Sequence, residues 1–592
     1  MQTNSPHTDN VQSSVVNVQW QNAMNLVKYT HQSVFLTGKA GTGKSTFLKQ
    51  VCQETKKKYV VLAPTGIAAI NAEGSTLHSF FKLPFYPLLP DDPNLSLQRG
   101  RIHEFFKYSK PHRKLLEELE LVIIDEISMV RADIIDAVDR ILRVYSHNLR
   151  EPFGGKQLLL VGDAFQLEPV VKADERDIIN RFYPNPYFFS AHVFSQIELV
   201  SVELTHVYRQ SDPVFVGVLD HIRNNTADAR DLQLLNTRYN PQSSTSTSTP
   251  QSSMFITLAT RRDQVDYIND KKLGELPGDP VTFKGTIHGD FPENSLPTSL
   301  ELLLKPGAQI IFVKNDLGKR WVNGTIGTIM GFDPVEEVIY ILTDNGVEVD
   351  VKPESWRNIR YTYNEEKKEI EEEELGTFTQ FPIRLAWAIT VHKSQGLTFS
   401  KVVIDFTGGV FAGGQAYVAL SRCTSLEGIQ LTNPLSRSDI FVRAEITQFA
   451  KRFNNQQAVD KALKEARADI EYIAASKAFD KGDFQQFLDS FFKAIHARYD
   501  IEKPLVQRLI RRKLSVINTL RNEVRQLKQE AQEKEKALMK YAREYVQMGD
   551  ECLKHDMPEA ALRNYDKAVT LCPQYKEAWK KIKKTEKMMK NR

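Results

Sequence analysis

Short apolar runs alternate with helical stretches over the first two hundred residues. VFLTG at 34–38, YVVLAP at 59–64, LVIIDE at 121–126 and QLLLVGD at 157–163 are continuous rather than alternating, and each ends in a polar or glycine-rich loop. That pattern predicts buried strands of a parallel sheet joined by helical crossovers. MFITLAT at 254–260 and KVVIDF at 401–406 form a second set. They stand too far apart for one crossover, so a segment is inserted between them. The insert, placed at 283–376, carries AQIIFVKND, VNGTIGTIMGFD, VIYILTDNG and VEVDV, with hairpin signals at Asn323-Gly324 and Asn345-Gly346. A small antiparallel barrel is predicted there. SSTSTSTPQSS at 243–253 and the acidic stretch Glu365–Glu374 read as mobile loops.

From 436 onward the pattern is helical and densely charged. Near its end Tyr545, Gly549, Ala561, Tyr565, Ala568 and Pro573 precede Trp579, in the manner of a tetratricopeptide repeat around 542–575. Small residues fall where paired helices would touch. A fainter echo lies at Gly482-Asp483-Phe484, Phe491 and Ala494. One repeat forms no array, so neighbouring helices must supply its partners. RRKLSVINTLRNEVRQLKQEAQEKEKALMK at 511–540 fits a nucleic-acid arm, a dimerising helix or a solvated spacer. Its mixed Lys and Glu content favours the spacer.

Composition narrows the picture little. With 592 residues, about four domains are expected. The 78 Lys and Arg barely exceed the 74 Asp and Glu, so net charge argues neither for nor against a nucleic-acid partner, which needs only a locally positive groove. Cys52, Cys423, Cys552 and Cys572 are too scattered for a CxxC site and too few for a secreted scaffold, which predicts a reduced, intracellular chain. Met1–Ser14 has neither the basic nor the apolar region of a signal peptide, and no apolar run is long enough to predict a membrane span.

The chemistry begins with GKAGTGKS at 38–45, which follows a strand and opens a helix. Gly38, Lys39, Ala40, Gly41, Thr42 and Gly43 form a loop whose backbone N–H groups can cradle phosphates. Lys44 can reach the terminal phosphates, and the Ser45 hydroxyl can ligate Mg²⁺. Asp125, at the end of LVIID, is the partner carboxylate for that ion, and Glu126 can polarise the attacking water. Gln166, in GDAFQ, either bonds the γ-phosphate or is an ordinary loop amide. Arg209 in HVYRQ and Arg422 in VALSRCTS either neutralise the transferring phosphoryl group or face solvent.

Taken together and in order, GKAGTGKST at 38–46, LAPTGIAAINAEGSTLHSFF at 62–81, IIDEISMV at 123–130, VGDAFQLEPV at 161–170, LTHVYRQSD at 204–212, AITVHKSQGLTF at 388–399 and AYVALSRCTS at 416–425 resemble the Pif1-like helicases of superfamily 1B, relatives of the bacterial RecD helicases. REPFGGKQLLLVGD at 150–163 looks like the end of the Pif1 signature. The resemblance covers roughly 17–435. It implies an α/β fold with two RecA-like P-loop NTPase domains: the first at 1–200 with a small wedge, the second split into 201–282 and 377–435. The insert would be an SH3-like barrel and 436–592 a helical extension. It implies ATP and Mg²⁺, with Gln21 (or its rival Gln19) reading adenine, Thr46 closing the phosphate loop, and Gln395 and Gly396 lying by the nucleotide. Arg209 and Arg422 become γ-phosphate arginines that complete the site only on closure.

Thr65, His78, Thr390, His392 and Lys393 sit in the family's single-strand channel motifs. Thr and His can donate to phosphate and Lys393 adds a charge. His78 also reads as a half-buried core histidine and Lys393 as a solvated loop charge. Phe80, Phe81 and Phe85 either build the wedge and stack on bases or simply pack. The implied activity is 5′-to-3′ DNA unwinding of forks, R-loops or G-quadruplexes, on single-stranded and forked DNA, in a bacterial cytoplasm at the nucleoid. An RNA-directed or non-unwinding translocase uses the same engine, with 2′-OH discrimination deciding between them. An adaptor role for the C-terminal helices, recruiting a protein partner, is compatible with either.

Overall fold

The computed structural model of the protein describes residues 17–97, 101–210, 212–240, 255–316, 318–333, 335–499, 501–502 and 504–590. The segment 1–14 and the Ser/Thr run at 243–253, discussed above, lie outside the described residues. Two compact units divide the chain, Met1–Asp469 and Ile470–Arg592.

In the first unit, six strands form a parallel sheet: β1 (Val34–Gly38), β2 (Tyr59–Ala63), β3 (Ser75–Thr76), β4 (Leu121–Ile124), β5 (Gln157–Val161) and β6 (Val200–Leu204), in the order β3-β2-β4-β5-β1-β6. β1, β4 and β5 are buried at every position, because helices cover both faces and leave no side for polar alternation. The sheet overruns the boundary expected at 200: β6 pairs with β1 from Val200 to Leu204.

A second parallel sheet follows. β7 (Ile256–Ala259) lies between strands that the chain forms much later. With the intervening strands numbered in chain order, these are β18 (Ala388–Thr390), β19 (Val402–Asp405) and β20 (Ile429–Leu431), and the order is β18-β7-β19-β20.

The inserted strands are antiparallel, but they fall into three separate sheets, so the closed SH3-like barrel is not what the pairing gives. β8 (Val281–Lys284) pairs with β10 (Glu301–Leu304). β11 (Gln309–Phe312), β12 (Ile326–Asp333), β13 (Val338–Thr343), β14 (Glu348–Val351) and β17 (Ile383–Leu385) make five strands in the order β14-β13-β12-β11-β17. β9 (Thr286–Gly289), β15 (Glu354–Asn364) and β16 (Glu369–Gln380) make three. β17 carries the insert to Leu385, beyond the expected 376. Asn345-Gly346 is a tight hairpin turn, with Gly346 in the left-handed region and Thr343 N–H bonded to Val347 O at 2.9 Å.

The acidic stretch is not a loop. β15 and β16 form a long hairpin, in which Glu371, Glu373 and Glu374 pair with Lys367, Arg360 and Arg357. Its inward side chains explain why it is ordered. Ile359, Tyr361 and Tyr363 alternate inward and are buried in the core of the first sheet, where Tyr361 Oη accepts from Val61 N–H at 3.3 Å.

Helices after 436 do not begin a new unit either. Ile446, Phe449 and Phe453 pack into the first core, Phe449 stacking on Phe189 at 4.3 Å and lying 5.6 Å from Phe35. Val459 and Ala462 bury against the other face of the same sheet. The unit boundary falls inside the helix Gln456–Asp480.

In the second unit, the helix Phe484–Ala497 folds back on the preceding one, and the 51-residue helix Pro504–Lys554 runs on from there. Its far end packs with Pro558–Leu571 and Lys576–Lys590 around Ala542, Val546, Ala561, Tyr565, Ala568, Ala578 and Ile582. Gly549 lets the two backbones approach: a Cβ there would lie 2.4 Å from the Tyr565 ring. Asp550 ties the group together, accepting from Tyr565 Oη at 2.7 Å and Lys581 Nζ at 2.9 Å.

Candidate nucleotide site and nucleic-acid track

The loop between β1 and the helix Lys44–Glu54 turns through Gly41 and Gly43, both in the left-handed region. Gly41 is needed for a second reason. A Cβ there would come within 2.3 Å of Arg209 Cβ, so the loop and the HVYRQ segment touch backbone to side chain. Lys44 curls over the loop, donating to Gly38 O at 2.7 Å and Lys39 O at 3.0 Å. Ser45 and Thr46 open the helix and are exposed.

Asp125 and Glu126 follow β4. Glu126 takes a left-handed backbone conformation (φ 48°), costly for a residue with a Cβ, and its N–H donates to Asp125 Oδ1 at 2.9 Å. Burial, then the charge of Glu126, pushes the Asp125 carboxyl up to about 7, and burial raises Glu126 against the pull of Lys44. A divalent cation reverses both shifts, so the pair suits one.

Arg209 and Arg422 come from outside the first sheet. Arg209 donates to Ser421 O at 3.3 Å. Arg422 is 2% exposed and donates to Val418 O at 2.9 Å and Ser421 Oγ at 3.0 Å. Burial, then Arg209, pulls Arg422 down to about 9. Burial also lowers Arg209 and Lys44, and Arg209 itself acts against Lys44. Three cations held together at a cost, facing Glu126, Asp125 and Asp163, are the complement of a polyphosphate with its cation.

Gln166 is buried and lies 3.4 Å from Asp163 through Nε2. Gln395 lies in the turn after β18, its Nε2 buried without a partner, and Gly396 beside it has φ 78°. Gln21 is exposed, and its amide donates to Asn25 Oδ1 on its own helix at 3.0 Å. Trp20 and Tyr208 instead flank Gly43.

Sequence reasoning missed the residues that join the two sheets. Arg223, in the helix Pro213–Arg223, reaches Asp163 at 3.0 Å and Glu203 at 2.9 Å and stacks its guanidinium 4.3 Å from the Phe165 ring. One turn earlier Asp220 pairs with Lys39 of the phosphate loop. Tyr417 Oη accepts from Ala40 N–H at 2.9 Å. Gly414 lies so close to the Gln166 segment that a Cβ would sit 2.3 Å from Phe165 O. Asp163 and Tyr417 lie within GDAFQ and AYVALSRCTS. Asp220 and Arg223 carried no local signal.

On the other track, Thr65 caps the helix Gly66–Asn71, and Thr390 Oγ1 accepts from Lys393 N–H at 3.2 Å. Thr65 and Lys393 are exposed. His78 stacks on Phe85, 75% exposed, at 5.1 Å, and His392 lies parallel to Phe411, 60% exposed, at 6.5 Å. Burial lowers both imidazoles, so each stays neutral near pH 7 and offers a ring or a hydrogen bond rather than a charge. Phe80 and Phe81 are core residues, 4% and 0% exposed, packed edge to face at 4.8 Å, which removes Phe80 from the expected nucleic-acid contacts. Phe85 alone of the three is presented to solvent.

Two parallel sheets that split a phosphate loop from its arginines define a RecA-like motor ATPase of the helicase class. The sequence profile of the PIF1-like helicase family matches residues 10–223. The ATP-dependent DNA helicase Pif1 of Bdellovibrio bacteriovorus is 32% identical over 433 residues, covering 71% of this chain and 89% of that protein. Its human counterpart is 32% identical over 417 residues, 68% of this chain and 58% of the human protein. Bacteroides sp Pif1 in complex with ADP-AlF4 superposes with a TM-score of 0.67 at 42% identity, over 73% of this chain and 96% of that one. The same protein bound to ssDNA gives 0.52 at 41%, over 74% and 97%. Unliganded Bacteroides sp Pif1 gives 0.66 at 41% identity, so the higher scores go with the DNA-free structures rather than with bound nucleotide. The chain belongs to the PIF1-like helicase family.

Proposed function

We propose that this chain is an ATP-dependent DNA helicase that moves 5′ to 3′ on single-stranded DNA and opens forks, R-loops or G-quadruplexes. The observation that carries the reading is the convergence of Lys44 and Glu126 from the first sheet with Arg209 and Arg422 from outside it. Ser45 and Asp125 would hold Mg²⁺, which would supply charge neutralisation on the phosphates when bound. Glu126 takes the proton of the attacking water, and Gln166 reports the γ-phosphate to the Asp163 loop. Arg209 and Arg422 reach the phosphates only when the sheets close, so each turnover is a closure and an opening. Gln21, or the neighbouring Trp20 and Tyr208, meets the base.

Thr65 and Thr390 donate to DNA phosphates, Lys393 adds charge, and the neutral His78 and His392 with Phe85 and Phe411 offer ring faces to bases. ATP turnover measured with single-stranded DNA and with RNA, then unwinding of duplexes bearing a 5′ or a 3′ overhang, tests the reading. Stimulation by DNA and unwinding from the 5′ overhang is expected. Stimulation by RNA alone, or turnover with no strand separation, selects the translocase alternative.

A further inference from the structure

The charge of the chain is unevenly divided. Residues 470–592 carry 27 Lys and Arg against 18 Asp and Glu, whereas residues 1–469 carry 51 against 56. The excess is densest on the helix Lys576–Lys590. There Lys576, Lys580, Lys583, Lys587 and Lys590 recur every three or four residues, so all five lie on one face. Ala578, Ile582 and Thr585 bury the opposite face. All five lysines are exposed, and among the described residues none has an acidic partner. Lys581, off the stripe, is the one that pairs, with Asp550. At the edge of the stripe Trp579 is 46% exposed, its indole fixed by Nε1 donating to Pro573 O at 3.0 Å.

Like charges at these spacings weaken a helix. The exposed part of the helix Pro504–Lys554 avoids that by interleaving acids, as in EKEK at 533–536. On the helix Lys576–Lys590 only Glu577 and Glu586 interrupt the lysines, and neither forms an ion pair with the stripe among the described residues. A stripe so little relieved matches a ligand that brings regularly spaced negative charge. Five ammonium groups along these 15 residues span about 21 Å at 1.5 Å per step, the scale of several nucleotides. We propose that this stripe is a second nucleic-acid site, binding the phosphate backbone without reading sequence, with Trp579 beside it as a stacking surface. Outside the motor, it tethers the chain to its track while the two sheets open. This extends the helicase reading but does not depend on the nucleotide cleft.

The test replaces the five lysines with Gln in the full-length chain and follows binding of a labelled single strand and a labelled duplex by fluorescence anisotropy across salt concentrations. Neutralising five phosphates contributes about 3.5 to the slope of log K against log salt on a single strand. The variant is therefore expected to lose about three units of slope and at least tenfold in affinity at low salt, with unchanged ATP turnover at saturating DNA. An unchanged slope overturns the proposal. So does tighter binding of the parent to phosphatidylserine vesicles than to DNA, lost in the variant, which assigns the stripe to a membrane surface. A slope that falls in a protein that never unwinds DNA leaves the stripe standing and overturns the helicase reading alone.

Discussion

The two parallel sheets of the motor are built alike and equipped differently. The first carries its chemistry at the ends of its own strands: the phosphate loop after β1, Asp125 and Glu126 after β4, and the Asp163–Gln166 loop after β5. The second has no phosphate loop. It contributes Tyr417, Arg422 and Gly414 on and around the helix Gln415–Leu420. On the proposed reading neither half holds a complete site, and the energy of nucleotide binding would act on the gap between them. Beside Ala40 and Leu167, which bury in the second core, the contacts that lock the halves are polar: Arg223 with Asp163 and Glu203, Lys39 with Asp220, and Tyr417 with Ala40. Polar contacts can be exchanged for phosphate contacts, whereas an apolar seam would resist opening.

The harshest way to break this comparison is to remove what supports the first sheet. A chain ending at 436 loses Ile446, Phe449 and Val459 from the first unit, and is expected to be insoluble or molten. One ending near 469 should fold and hydrolyse ATP. Circular dichroism and thermal melts of both decide it, and a folded, active 436 fragment would contradict the packing described.

Next in size is the chemistry of the first sheet. Lys44→Ala should cut ATP turnover at least a hundredfold, about 3 kcal/mol or more in barrier, with an unchanged melting temperature. Glu126→Gln should keep ATP binding while losing turnover. Normal turnover in either variant removes the assignment.

The lock between the sheets comes third. Arg223→Met leaves the buried Asp163 and the half-buried Glu203 without their cation, and breaking a buried pair typically costs about 3–5 kcal/mol. Adding Asp163→Asn should recover part of the melting temperature. No recovery would mean that the two side chains act independently.

Asp125 gives a pH test of smaller size. Its carboxyl is raised from the usual range near 4 to about 7 by burial. The folded state therefore holds the proton more tightly than the unfolded chain, and stability falls as pH rises between those values. Asp125→Asn should raise the melting temperature of the nucleotide-free protein by several degrees at pH 8 and by less at pH 5. The reverse order would contradict a protonated Asp125.

The smallest effect is expected from Tyr417→Phe, which deletes one hydroxyl from the phosphate loop. Severalfold weaker ATP binding with nearly unchanged ADP binding would place the phenol beside the terminal phosphate. Equal losses for both nucleotides would make it structural.

Much of this molecule was legible in the sequence because its information is local. A buried parallel strand must be a continuous apolar run, and a phosphate loop must have glycines where the backbone turns left-handed and crowds Arg209. Lys44, Asp125 and Glu126 were therefore readable one motif at a time. Other features needed the tertiary structure. The acidic run at 365–374 looked like a loop because its charges dominate composition, yet β15 beside it buries Ile359, Tyr361 and Tyr363 in a core three hundred residues away. Residues 444–463 looked like the start of an extension because they are helical, yet their aromatics complete the first sheet. Phe80 and Phe81 differ from Phe85 only in which way the chain turns after them. Arg223 reaches Asp163 across 60 residues. Long-range pairing depends on which elements fold against each other, and neither spacing nor residue type records that.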